Sequence, residues 1–144
     1  MRRHYTRLTL VLMCLPMLAW GYVTPGTGLT LDMDDLVADS VGDVTGTAPV
    51  YFLNYDLDIA ATDTLVIPAG TTVLVNPGWA ILVHGRLNAT GTAAAPILFE
   101  SADSPPQPDD WFGIGILDTG SVALAGCQIR NAVDCVFFQN VTPA

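Results

Sequence analysis

Lysine is absent from this chain of 144 residues, and five arginines face 14 acidic side chains, for a formal net charge of −9. Three of those arginines fall within the first seven residues, so beyond them only Arg86 and Arg130 remain. A chain this poor in cations lacks the means to neutralise phosphates, which argues against nucleic acid and anionic membrane as partners. Acidic sugars are disfavoured for the same reason, unless a divalent cation bridges like charges. Cysteine is scarce as well, at three residues. Long apolar runs are limited to one, Leu8 to Trp20, which is shorter than the roughly 20 residues a membrane-spanning helix needs.

That run follows a positive segment of Arg2, Arg3, His4 and Arg7, and it ends in Ala19-Trp20-Gly21, with small residues at the two positions a signal peptidase reads. The expectation is a signal peptide over residues 1–21, cleaved after Gly21, and a secreted or cell-surface protein; an uncleaved anchor is the alternative. Bulky Leu12 and Met13 before Cys14 argue against lipoprotein processing. Cleavage leaves two arginines against 14 acidic residues, hence −12, and two cysteines, Cys127 and Cys135. Export permits a disulfide between them. The favoured reading is two free or buried thiols, with Cys127 alternating with Ile129 and pointing inward. His84, the one histidine left, gives neither thiol an evident base.

Residues 22–63 read as a leader and cap. Asp32 is placed to cap a short helix whose first turn holds Asp35 and whose apolar face carries Met33, Leu36 and Val37. Gly42 to Pro49 reads as a loop, and Val50 to Ile59 as one strand. Its inner face carries Tyr51, Leu53, Tyr55, Leu57 and Ile59, and Asp56 and Asp58 share its wet face.

From residue 64 onward, short β-branched and aliphatic runs alternate with turns: Leu65–Ile67, Thr72–Val75, Ala80–Val83, Pro96–Phe99, Gly113–Leu117, Val122–Leu124, Cys127–Ile129 and Val136–Phe138. Runs so short cannot each bury a face alone, whereas stacked coils can. Aligning Leu65, Leu82 and Leu98 gives a coil of about 17 to 22 residues, within the usual repeat range. Ser101–Asp110 interrupts the rhythm with three prolines and reads as a protruding loop. The fold expected is all-β, a parallel β-helix (solenoid) of about four coils over residues 64–144 behind a short N-terminal helical and strand cap. No second cap follows the last strand, so the chain is expected to be a fragment of a longer protein, or to pair with something there.

The stretch Thr64 to Ser101 resembles the opening coils of secreted bacterial right-handed parallel β-helix proteins of the pectin-lyase-like fold. The matching motifs are Ala69-Gly70-Thr71, Pro77-Gly78, Gly85-Arg86-Leu87-Asn88-Ala89, Gly91-Thr92-Ala93, Pro96 and Phe99-Glu100-Ser101. Asp110-Trp111-Phe112-Gly113-Ile114 and Val122 to Ala132 are similar to later coils of that family, and Tyr22 to Ser40 to its leader. The resemblance implies right-handed winding, with Gly70, Gly78, Gly85, Gly91, Asp110 and Gly113 at structural turns; Cys135 stands where the family often has glycine. It implies no single activity, because this fold carries lyases, hydrolases, adhesins and stalks alike.

The catalytic motifs of that family's lyases and hydrolases are missing from the chain. Arg86 and Arg130 read as outward surface charges, and His84 as a turn or surface residue. Asp109 and Asp110 are adjacent and point apart in extended chain, so they form no acid–base couple, and Asp110 reads as a cap on the turn into Trp111. Asp32-Met33-Asp34-Asp35 lacks the glycine and later ligands of a calcium loop. Asp56 and Asp58 are the pair best placed to share a surface calcium; no other cofactor is expected. Trp79 and Trp111 are the candidate carbohydrate contacts, with core or corner packing as the plainer role. The functional expectation is an exported, non-catalytic β-helix module that contacts a polysaccharide or cell-surface component, with the remaining coils of a longer protein as its structural partner. The alternative is the opening segment of a polysaccharide lyase or hydrolase with its catalytic coils further on.

Overall fold

A computed structural model describes residues 21–139. The expected signal peptide, with Cys14, lies outside these residues, apart from Gly21 itself. In chain order the elements are β1 (Gly21–Val23), β2 (Thr30–Leu31), α1 (Met33–Asp39), β3 (Val44–Thr47), β4 (Val50–Leu53), β5 (Asp56–Ile59), β6 (Thr64–Pro68) and β7 (Thr72–Val75). They continue as β8 (Ala80–Val83), β9 (Arg86–Thr90), β10 (Ile97–Ser101), β11 (Gly113–Leu117), β12 (Ser121–Ala125), β13 (Cys127–Ile129) and β14 (Val136–Gln139).

These strands form three sheets. The first has the order β1-β5-β8-β11-β14, the second β13-β10-β7-β4-β3, and the third β12-β9-β6-β2. From β4 onward the chain visits second, first and third sheet in turn, and each strand lies parallel to the one three further on. The molecule is thus all-β with parallel sheets and one short helix, an arrangement compatible with a β-solenoid.

Flush pairing builds apolar columns through the interior. Leu57, Ile81, Ile114 and Val136 form one in the first sheet. Tyr51, Val73, Phe99 and Ile129 form another in the second, and Leu65, Leu87 and Val122 a third. Leu57, Ile81, Phe99, Leu65 and Leu87 are at most 1% exposed, and burying each such side chain contributes roughly 1.5–3 kcal/mol. Alternation supplies the columns: in β6 Leu65 and Ile67 face inward while Val66 and Pro68 face solvent. The columns open at their far end, where Val136 is 36% and Phe138 79% exposed.

The structure corrects the expected coil alignment. Leu65, Leu82 and Leu98 lie in three different sheets. Leu65 pairs with Leu87, 22 residues on, and Leu87 with Val122, 35 residues on. The expected single strand from Val50 to Ile59 is two strands with a corner at Asn54 and Tyr55, which leaves Tyr55 43% exposed. The expected loop at 42–49 contains β3, which runs antiparallel to β4 and covers that strand's open edge.

The helix forms where its sequence signals place it. The Asp32 side chain accepts from the Asp34 and Asp35 amides, and the Asp35 side chain accepts from the Asp32 amide, closing a capping box. Met33 and Leu36 are buried under it. The leader is tied down chiefly by Asp63, 1% exposed, which accepts from the amides of Gly26 (2.7 Å), Gly28 (2.9 Å) and Leu29 (2.9 Å). Burial would raise this carboxyl, but these bonds and one from the Thr24 hydroxyl outweigh it and hold the group below its ordinary value.

Gly70 and Gly78 sit in tight turns, and Gly85 and Gly91 at corners against the carbonyls of Ala60 and Gly126. Gly113 is the most constrained. Its φ is +107°, and a Cβ there would strike the Asp134 carbonyl, so no side chain fits where β11 begins.

Candidate functional site

The outer face of the first sheet carries a groove of about 400 Å³, lined by Asp56, Gly78, Trp79, Ala80, Leu82, Phe112, Val133, Asp134, Phe137 and Gln139. Two kinds of position build it. Outward rungs of the parallel strands form the floor: Asp56 on β5, Ala80 and Leu82 on β8, Phe137 and Gln139 on β14. Residues just before each strand form one rim: Trp79 before β8, Phe112 before β11, and Val133 and Asp134 before β14. In-register stacking brings such equivalent corner positions side by side.

The rim is aromatic. Tyr55 meets the Trp79 ring edge to face, with centroids 5.2 Å apart and planes at 62°. Phe112 is 53% exposed. The Phe137 ring lies over Gly115, and a Cβ at that glycine would come within 2.6 Å of it. Glycine in the middle of β11 therefore seats the ring on the sheet.

Carboxylates supply the polar part. Asp56 Oδ1 accepts from the Ala80 amide at 2.8 Å. Burial raises the Asp56 carboxyl above its ordinary value, the Ala80 bond opposes this, and the Asp58 charge adds to the rise. Further along β5, Asp58 faces His84, whose Nε2 is 3.6 Å away and whose Nδ1 is 2.7 Å from Asp118. Burial holds Asp58 above its ordinary value against the pull of His84, and its Oδ1 is enclosed without a hydrogen-bond partner. Among the described residues, the lining includes no arginine, lysine or histidine.

Of the two candidate carbohydrate contacts, the structure places only Trp79 at the groove. Trp111 is 0% exposed, and its indole N–H donates to the Arg130 carbonyl at 2.8 Å. Its ring fills the interior and offers no face to a ligand, which corrects the expectation. Asp110 closes the loop behind it, accepting from the Gln107 amide at 2.8 Å. Asp109 adopts φ 63° in the same loop.

Asp56 and Asp58 are drawn to different partners, the Ala80 amide and His84. Among the described residues, no group of three or more His, Cys, Asp or Glu side chains is placed to hold a metal ion. Arg86 is exposed on the third sheet, and Arg130 lies 3.8 Å from Glu100. Cys127 and Cys135 are free; Cys127 packs against the core, and burial raises its thiol.

Phe112, Asp134, Phe137 and Gln139 join the groove without having been singled out in the sequence. The signal that finds Phe137 is register: Leu82 pairs with Gly115 and Gly115 with Phe137, which aligns the three on one outward row. Phe112 and Asp134 follow Trp79 along backbone bonds, from the Phe112 N–H to the Trp79 carbonyl and from the Asp134 N–H to the Phe112 carbonyl.

The chain therefore belongs to the all-β class with parallel sheets and an aromatic groove on one face. No protein-family pattern, no curated protein and no solved structure matches it. Among the described residues no helix is long and apolar enough to cross a membrane.

Proposed function

We propose that this chain is an exported, non-catalytic module of the right-handed, pectin-lyase-like β-helix kind, and that it holds a glycan strand in the groove of the first sheet. The observation that carries the reading is the convergence of Trp79, Phe112 and Phe137 on a cavity that also presents Asp56 and Gln139. Sugar rings offer an apolar C–H face and a fringe of hydroxyls; aromatic faces take the first, and carboxylate and amide oxygens take the second. A mostly apolar concavity with a few fixed polar groups is the usual form of a small-ligand site. Among the described residues the lining holds no arginine, lysine or histidine of the kind the lyases of that fold use, which supports a binding role over lyase chemistry.

The test is affinity electrophoresis of the purified chain through gels containing a panel of polysaccharides. Retardation by at least one glycan is expected, reduced about tenfold by Trp79→Ala with the melting temperature preserved. Equal mobility in every gel, or retardation indifferent to Trp79→Ala and Phe112→Ala, overturns the proposal.

A further inference from the structure

Resting on that reading, we infer that the groove prefers a glycan bearing free amino groups, a polymer of glucosamine type, over neutral or acidic glycans. The first argument is charge. Two carboxylates, Asp56 and Asp134, line the cavity, no cationic side chain among the described residues does, and Asp58 stands two residues from Asp56 on the same strand. Among the described residues Asp56 is met at one oxygen, by the Ala80 amide. It is half-buried beside a like charge, so an arriving ammonium would relieve repulsion as well as form an ion pair. A uronic acid in the same place would add a further negative charge.

The second argument is the rings. The faces of Trp79, Phe112 and Phe137 attract an ammonium through the ring quadrupole and still stack on the pyranose C–H face. One sugar unit can therefore use both features at once: ring on aromatic, amino group toward carboxylate. The cavity of about 400 Å³ suits a small ligand, because such sites run from roughly 300 to 1,000 Å³. The third argument is the whole-chain field, since a net charge of −9 draws polycations and turns polyanions away.

The experiment compares a glucosamine hexamer with its fully N-acetylated counterpart by calorimetry. A mildly acidic buffer, above the roughly 4 at which ordinary carboxylates titrate, keeps the sugar amines charged. The amino hexamer is expected to bind at least tenfold tighter. Asp56→Asn keeps an oxygen for the Ala80 amide, so the fold should persist while the preference collapses, and Asp134→Asn should narrow it. Added salt should erode the preference too.

Equal affinity for both hexamers overturns this inference and leaves the glycan-binding proposal standing. Binding of either hexamer that ignores Trp79→Ala overturns both. A lysine hexamer that binds more tightly than the amino sugar overturns the inference in favour of a cationic peptide.

Discussion

Replacing Asp63 with asparagine should unfasten the leader from the rest of the molecule. Asp63 Oδ2 accepts from the Gly26 amide, and Oδ1 accepts from the amides of Gly28 and Leu29. An asparagine turns one of those oxygens into an NH₂ that faces an N–H. The loss is one charge-assisted bond, about 1.5–3 kcal/mol, plus part of the cost of an unpaired buried donor, so about 3 kcal/mol in total is a fair working figure.

In a stacked fold that loss stays near its origin. The expected result is hydrogen exchange about 100-fold faster at Gly26, Gly28 and Leu29, with little change at Ile97–Ser101, since each 1.4 kcal/mol is a factor of ten. The pH dependence has a definite sign. The folded carboxyl lies below its unfolded value of about 3.9, so its stabilisation is complete above that pH and fades as pH falls through the folded value. The variant should lack this acid-dependent loosening of the leader. Exchange at residues 26–29 unchanged by Asp63→Asn, or accelerated equally throughout, would refute the idea that one carboxylate fastens this segment.

Gly113→Ala places a methyl against the Asp134 carbonyl at a backbone angle that alanine avoids, and should cost at least about 2 kcal/mol in urea unfolding. A loss under about 0.5 kcal/mol, the range of ordinary surface changes, would show that the strand start can shift freely. Tyr51 is 4% exposed and donates to Asp34 at 2.8 Å. Burial first, then that bond, pushes its phenol up to about 12. Because the unfolded phenol titrates near 10, the fold loses stability as pH climbs above that value, and Tyr51→Phe should move the alkaline unfolding midpoint upward. An unmoved midpoint would mean that another group governs alkaline unfolding.

The rungs were legible in the sequence because alternation and turn residues are local properties. Thr72–Val75, Ala80–Val83 and Gly113–Leu117 appear at the expected bounds. The helix was legible for the same reason: Asp32 and Asp35 act on each other across a single turn. The stacking order was not. Three sheets per coil mean that neighbouring runs such as β7 and β8 belong to different faces, and unequal corners defeat any fixed period. β3 was hidden in a glycine-bearing, weakly apolar segment whose pairing with β4 comes from the folded chain.

The groove suffered most from this. Trp79 stood out as an aromatic beside a turn, but Phe112 and Phe137 become its neighbours only once the register is known. Trp111, one residue from Phe112, points the other way into the interior. An alternating chain can assign such a pair to opposite faces, yet only the stacked structure says which of the two faces out.

The corner between β10 and β11 shows what unequal corners make possible. Ser101 and Gly113 bracket a proline-rich excursion, yet the strands on both sides stay flush with their partners. The Gly78 amide donates to the Asp110 carbonyl at 2.7 Å, which anchors the root of that excursion beside Trp79. Extra sequence at this point would lengthen the excursion while the strands on either side kept their alignment. Selection, or an engineer, could thereby add a surface feature to one corner of the stack by editing residues 103–108 alone.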